Sequence, residues 1–255
     1  MVTLMVYHAY TFLAVLLIIA VLMQVEFYNL VRKSGREPSS TYGVMLGVLM
    51  MSIVAMSEMA LVNYHLIWVF MPLLSMVYVL EIYKRHAHPF TNIAYTIMGV
   101  VYVALPLSML INLSFESGTY TYQRVVGLFF LVWSNDVGAY FAGILLGKTK
   151  LFESISPKKT WEGTIGGIIF CQFFAFLLFQ IIGYQDAIHW HAMALIVGIA
   201  GTYGDLVESL FKRSVSTKDS GSKLPGHGGF LDRFDSLVFT VPFILVYFKL
   251  ADYFV

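Results

Sequence analysis

The chain has 255 residues, 58% of them hydrophobic and only 12% charged, with a formal net charge of +1. Soluble domains carry about 25% charged residues, so this composition and a mean hydropathy of +0.75 exclude a soluble domain; the small net charge gives no reason to expect a nucleic-acid partner. A single cysteine, Cys171, excludes an intramolecular disulfide and any cysteine metal motif, and its apolar surroundings make it a small buried side chain.

A membrane helix needs about 20 mostly apolar residues. That rule predicts an all-α polytopic membrane protein of about eight (seven to nine) spans, at 7–31, 43–62, 65–83, 91–112, 124–146, 164–183, 191–211 and 236–254. The first span has no basic residue before it and no small-residue cleavage site, so it reads as a retained helix. The loops sort by charge. Fourteen of the sixteen basic residues fall on one side, in the groups around Arg32, Lys84, Lys158 and Lys212, leaving Arg124 and Lys249 elsewhere. The positive-inside rule makes that face cytoplasmic. The polar loops gather there, on a single membrane domain, 1–255, with no obvious repeat or low-complexity tract.

In the fifth span, Asp136 lies about 18 Å along the helix from its cytoplasmic end. An intramembrane carboxylate points to function by default: it would line a water-filled cavity, or else hydrogen-bond a neighbouring helix. Gly143–Thr149, GILLGKT, has one residue too few between its glycines for a phosphate-binding P-loop. Gly143 and Gly147 instead suit close helix packing. The loop that follows contains SPKKTWEG, Ser156–Gly163. Ser156, Lys158, Lys159 and Thr160 form a plausible phosphate clamp there, although the lysines also serve as plain topology signals. Trp161 reads as an interfacial anchor. His189 and His191 belong to an outer turn rather than a metal site, and the sequon Asn112-Leu-Ser114 is a pattern common by chance.

Gly204–Ser236 is the one long polar segment, and it holds ten of the thirty-one charged residues. Asp205, Glu208, Ser209 and Lys212 recur at helical spacing and share one face. That stripe faces a cavity, because charge toward lipid is costly, or it is a salt-bridged helix end with Glu208 paired to Lys212. The glycines of Pro225–Gly229, PGHGG, let backbone amides approach an anion. Asp232 and Asp235 follow at the start of the last helix, as dipole partners or as hard oxygen ligands for Mg²⁺. Asp205 and Asp232, on adjoining helix ends, are the expected metal ligands. Lys212, Arg213, Lys218, Lys223 and Arg233 would neutralise phosphate oxygens, with His227, Gly228 and Gly229 beside them.

Three runs carry a resemblance: Ser209-Leu-Phe-Lys212-Arg213, Lys218-Asp219-Ser220-Gly221, and Pro225 through Asp235. With SPKKTWEG and NDVGAYFAG upstream, they resemble the phosphatidate cytidylyltransferases over about 130–240, which would be the catalytic half. The chain begins close to EFYNLVRKSG, where that family often has a basic segment and an extra hairpin first. It is therefore expected to be a short member or to lack its start. The resemblance implies that phosphatidic acid and CTP give CDP-diacylglycerol and pyrophosphate with Mg²⁺, and K⁺ is a candidate second cation. Asp205, Asp232, Asp219, Asp235 and Lys212 would be catalytic, and the remaining basic residues would orient CTP and the lipid headgroup. It also implies a bacterial inner membrane, a site facing the cytoplasm, and compatibility with a homo-oligomer. A CTP-dependent lipid kinase and a transporter using Asp136 as a proton site are the competing readings.

Overall fold

The computed structural model describes residues 8–116, 118–215 and 229–254. Among these, eight helices are long and apolar enough to cross a membrane: α1 (Ala9–Lys33), α2 (Ser40–Glu58), α3 (Tyr64–Lys84), α4 (Pro89–Leu113), α5 (Gln123–Leu146), α6 (Trp161–Ile182), α7 (Ala187–Ser214) and α8 (Leu231–Phe254). The fold is all-α, and all eight expected spans are present. A helix suits this setting because it satisfies its backbone polar groups internally where no water can. Two short antiparallel hairpins join helices: β1 (Phe115–Glu116) with β2 (Thr119–Tyr120), and β3 (Lys150–Phe152) with β4 (Ser156–Thr160).

The chain divides into two compact units, Met1–Thr121 with Ser214–Arg233, and Tyr122–Arg213 with Phe234–Val255. In the first unit, α1 brings polar side chains into an apolar core, and each finds a backbone partner. Gln24 Nε2 donates to the carbonyls of Gly43 on α2 and Gly99 on α4, both at 3.3 Å, and Tyr28 Oη donates to Thr96 O at 2.7 Å. The glycines make this approach workable: a Cβ at Gly43 or Gly99 would strike the Tyr28 ring. Such bonds matter because an unpaired buried polar group costs about 1–3 kcal/mol. The sequon residue Asn112 is likewise engaged, donating to Glu58.

In the second unit, α5 and α6 form a tight pair built on small residues. A Cβ on Gly163 would lie 3.0 Å from Ala139 O and 3.2 Å from Gly143 Cα; one on Gly167 would lie 2.8 Å from Asn135 Oδ1. Small residues let helix backbones approach closely; Gly163 and Gly167 supply that here, while at Gly143 itself a Cβ would find only ordinary contacts, 3.6 Å and beyond. Further along, α7 closes on α8, where Ser236 Oγ donates to Gly201 O at 3.1 Å. His189 and His191 lie in the first turns of α7 and not in a turn between helices, and each has a structural partner: His189 Nδ1 lies 2.9 Å from Tyr247 Oη and His191 Nδ1 lies 2.7 Å from Gln172 Oε1.

Three spans are not α-helical throughout: α3 opens with a 3₁₀ segment, Tyr64–Val69, and two others contain wider turns. Val100–Ala104 in α4 and Val197–Gly201 in α7 are π-helical turns. In α4 the cause is Pro106, which offers no N–H to the carbonyl of the preceding turn. The α7 turn lies immediately before the polar stripe, and such turns are frequent at functional sites.

Candidate functional site: an acidic cluster on α7 and α8

The last three turns of α7 carry the stripe. Leu206 and Phe211 pack inward, while Leu210 is exposed. Glu208 is fully buried, Asp205 half-buried, and Ser209 Oγ donates to Asp205 Oδ1 at 3.3 Å. From α8 comes Asp235, buried, with its Oδ1 accepting the amide of Ser236 at 2.6 Å. One carboxylate oxygen each from Asp205, Glu208 and Asp235 lies within 4.8 Å of the others. Gly204 permits the close approach of the two helices, whereas Gly201 has room for a Cβ. A Cβ at Gly204 would lie 2.9 Å from Asp235 O, and one at Gly201 would lie 3.6 Å from Ser236 Cβ.

Two cations face these acids. Lys159 Nζ lies 2.6 Å from Asp205 Oδ2 and also donates to Thr202 O at 3.2 Å, so it bridges β4 and the start of the stripe. Lys212 Nζ lies 2.5 Å from Glu208 Oε2. The helix-end salt bridge and the acidic cluster therefore coexist, sharing Glu208. Asp136 on α5 is exposed, and its negative charge, like that of Asp205, acts on Asp235, with Lys159 opposing both. Among the described residues, three carboxylates converge against two ion-paired ammonium groups. Such hard oxygen donors suit a small divalent cation.

The other sequence-predicted residues are distributed as follows. Thr160 is buried, and its Oγ1 accepts the amide of Gly163 at 3.1 Å as the N-cap of α6. Ser156 lies half-buried in β4, with Lys158 exposed beside it. Arg213 is exposed near the end of α7. Asp232 stands in the first turn of α8, one turn ahead of Asp235, and its Oδ2 accepts the amide of Gly229 at 2.9 Å. Arg233 is exposed on the same turn. Lys218, Asp219, Lys223, His227 and Gly228 lie outside the described residues.

Two acidic residues were not among the expected site residues. Glu208 was visible in the stripe but equally readable as a salt-bridge partner. Glu26 on α1 is buried, and its Oε2 accepts the amide of Leu231, the first residue of α8, at 3.0 Å. Its signal was a lone carboxylate inside an apolar span, which points to function by default.

The chain belongs to the cytidylyltransferase family, whose model matches residues 1–251. It is similar to a protein of Bacillus subtilis (strain 168) named phosphatidate cytidylyltransferase, 40% identical over 172 residues, covering 66% of this chain and 61% of the relative. A protein of the same name from Staphylococcus saprophyticus is 38% identical over 177 residues, covering 68% of this chain and 66% of the relative. A third, from Staphylococcus aureus (strain COL), is 37% identical over 163 residues, covering 63% and 61%. The chain thus matches a little under two thirds of the length of these relatives. Its eight apolar helices make it an integral membrane protein.

Proposed function

We propose that this protein is a phosphatidate cytidylyltransferase, transferring the cytidylyl group of CTP to phosphatidic acid. The observation that carries the reading is the convergence of Asp205, Glu208 and Asp235 with Lys159 and Lys212 at the ends of membrane helices. The relatives' names and the family's description support the choice of nucleotide and lipid. An oxygen of the lipid phosphate forms a bond to the α-phosphorus of CTP as the bond to the bridging oxygen breaks, and pyrophosphate leaves with that electron pair. A phosphate monoester is largely ionised near neutral pH, so the nucleophile needs little help from a base. What the chain must supply is alignment of two polyanions and neutralisation of their charge.

Lys159 and Lys212 are suited to that task because each is held by a carboxylate. An ammonium group fixed in advance loses little freedom when a phosphate oxygen arrives. Asp205, Glu208 and Asp235 would hold Mg²⁺, with Asp232 a further candidate from the sequence and K⁺ a candidate second cation. Bound there, the divalent ion would neutralise phosphate oxygens during transfer. Ser209 positions Asp205 through their hydrogen bond. The bilayer retains the acyl chains, and the proposed cytoplasmic placement of the polar loops gives soluble CTP access.

The test is mass spectrometry of the products after purified protein in detergent meets phosphatidic acid, CTP and Mg²⁺. CDP-diacylglycerol and pyrophosphate in equal amounts are expected, with turnover abolished by a chelator. Release of CDP with a newly phosphorylated lipid would instead identify a kinase and overturn the reading.

A further inference from the structure

Far along the sequence from the acidic cluster, and sharing no residue with it, the first unit contains an open cavity of about 590 Å³ lined by Arg32, Gly35, Arg36, Glu37, Lys84 and His86 among others. That volume falls in the range of about 300–1,000 Å³ usual for small-molecule sites. Three of the lining groups are basic side chains, and none of Arg32, Arg36 and Lys84 makes an ion pair among the described residues. The one lining carboxylate, Glu37, is already engaged, its Oε2 2.9 Å from His86 Nε2. Topology accounts for basic residues on this side of the chain. It does not account for a concavity that gathers them, on a loop whose backbone is held by buried hydrogen bonds.

The fixing is done by a buried polar network. Glu81, 2% exposed, accepts from Asn92 Nδ2 at 2.8 Å and lies 2.8 Å from His86 Nδ1. Asn92 Oδ1 in turn accepts the amide of Glu37 at 3.0 Å, and Thr96 Oγ1 accepts the amide of Ser39 at 2.9 Å. Ser39 Oγ then accepts from Lys84 Nζ at 2.8 Å. Gly35, with φ +74°, allows the chain to reverse after α1 and brings Arg36 to the same opening as Arg32. The loop between α1 and α2 is thereby pinned to the end of α3 and the start of α4. Holding like charges together is costly, and an arriving anion removes that cost. Guanidinium groups match phosphate oxygens in shape and charge, and phosphate is the anionic group that every phospholipid carries at the membrane surface.

We propose that this cavity binds a phosphate-bearing anion, either the headgroup of an acidic phospholipid or a soluble phosphate, between Arg32, Arg36 and Lys84. The proposal does not rest on the reading of the acidic cluster. The experiment uses unmodified protein in nanodiscs and phosphate-free buffer, with phenylglyoxal modification of each arginine followed by peptide mass spectrometry. Phosphatidylcholine discs are the reference; one arm adds inorganic phosphate and another replaces part of the lipid with phosphatidylglycerol. Arg32 and Arg36 are expected to react about tenfold more slowly in at least one arm, the worth of one charge-assisted contact. Arg85 is the internal control, since it is exposed at the end of α3 and does not line the cavity. Protection in the phosphatidylglycerol arm alone assigns a lipid headgroup; protection by inorganic phosphate assigns a site open to soluble phosphate. Lys84→Gln should weaken the protection, whereas Lys33→Gln, the same loss of charge on a residue outside the lining, should not. Equal protection of Arg85, or none at Arg32 and Arg36, overturns the proposal.

Discussion

Each carboxylate of the cluster has a different second partner, so substitutions there should separate. Asp205 is tied to Lys159 and Ser209, Glu208 to Lys212, and Asp235 to the backbone of its own helix. Asp205→Asn and Asp235→Asn keep the shape and remove the charge. Each is expected to lower cytidylyl transfer about a hundredfold or more, the usual effect of losing one electrostatic contact in a preorganised site. Lys159→Met should do the same, with Lys159→Arg recovering part of the rate, as read by pyrophosphate release. Glu26 calls for the opposite pattern. Its work is to accept the Leu231 amide, one of the orphan donors at a helix start, so Glu26→Gln should retain it through the amide oxygen. Glu26→Ala leaves that buried donor unpaired and should destabilise the protein by about 1–3 kcal/mol, seen as a lower thermal midpoint in detergent. Equal midpoints for the two variants would remove Glu26 from this role.

Among the elements, the α5–α6 pair offers the sharpest contrast between neighbouring glycines. Around Gly143 a Cβ would find its nearest atoms at 3.6 and 3.8 Å, ordinary contact, whereas Gly163 would press on Ala139 O at 3.0 Å. Gly143→Ala should therefore be tolerated and Gly163→Ala should cost about 1–3 kcal/mol through overpacking, measured as a difference in thermal midpoint; a larger loss at Gly143 would refute the packing argument. Elements of this kind were unevenly legible. The eight spans were readable because a bilayer demands length and apolarity, both one-dimensional properties. The apolar span of α8 was drawn from 236 because Asp232, Arg233 and Asp235 lower the local hydropathy, while the two aspartates were read at the start of the helix, which begins at Leu231. Carboxylates in a first turn nevertheless favour the helix through its dipole. The strand β4 was invisible because SPKKT gains its extended form only by pairing with Lys150–Phe152 across a turn. Asp205 and Lys159 could be named separately from their motifs. Their ion pair could not, since it joins segments 46 residues apart in the sequence.

At the scale of the whole molecule, the proposed reaction sets a requirement on topology: for CTP to be the substrate, the hairpin carrying Lys159 has to face the compartment that supplies it. The sequence pattern supports this, since by the alternation of apolar spans Arg124 and Lys249 alone fall outside the basic loop groups. Arg124 has local reasons for its place, its guanidinium lying 4.3 Å from the Phe248 ring centre and its Nε 3.3 Å from Gln185 Oε1. The chain also comes ready for a direct test. Its one cysteine, Cys171, is fully buried with Sγ 3.5 Å from the carbonyl of Leu131, so it should not react with a membrane-impermeant maleimide. Cysteines introduced at the exposed positions Glu153, in the β3–β4 hairpin, and Asp186, between α6 and α7, bracket α6. In intact bacterial cells Asp186→Cys should label from outside, while Glu153→Cys should label only after the membrane is opened. The reverse pattern would turn the molecule over and place the acidic cluster away from cytoplasmic CTP. Labelling of both from one side would mean that α6 does not cross, and the alternation of basic loops would lose its physical basis.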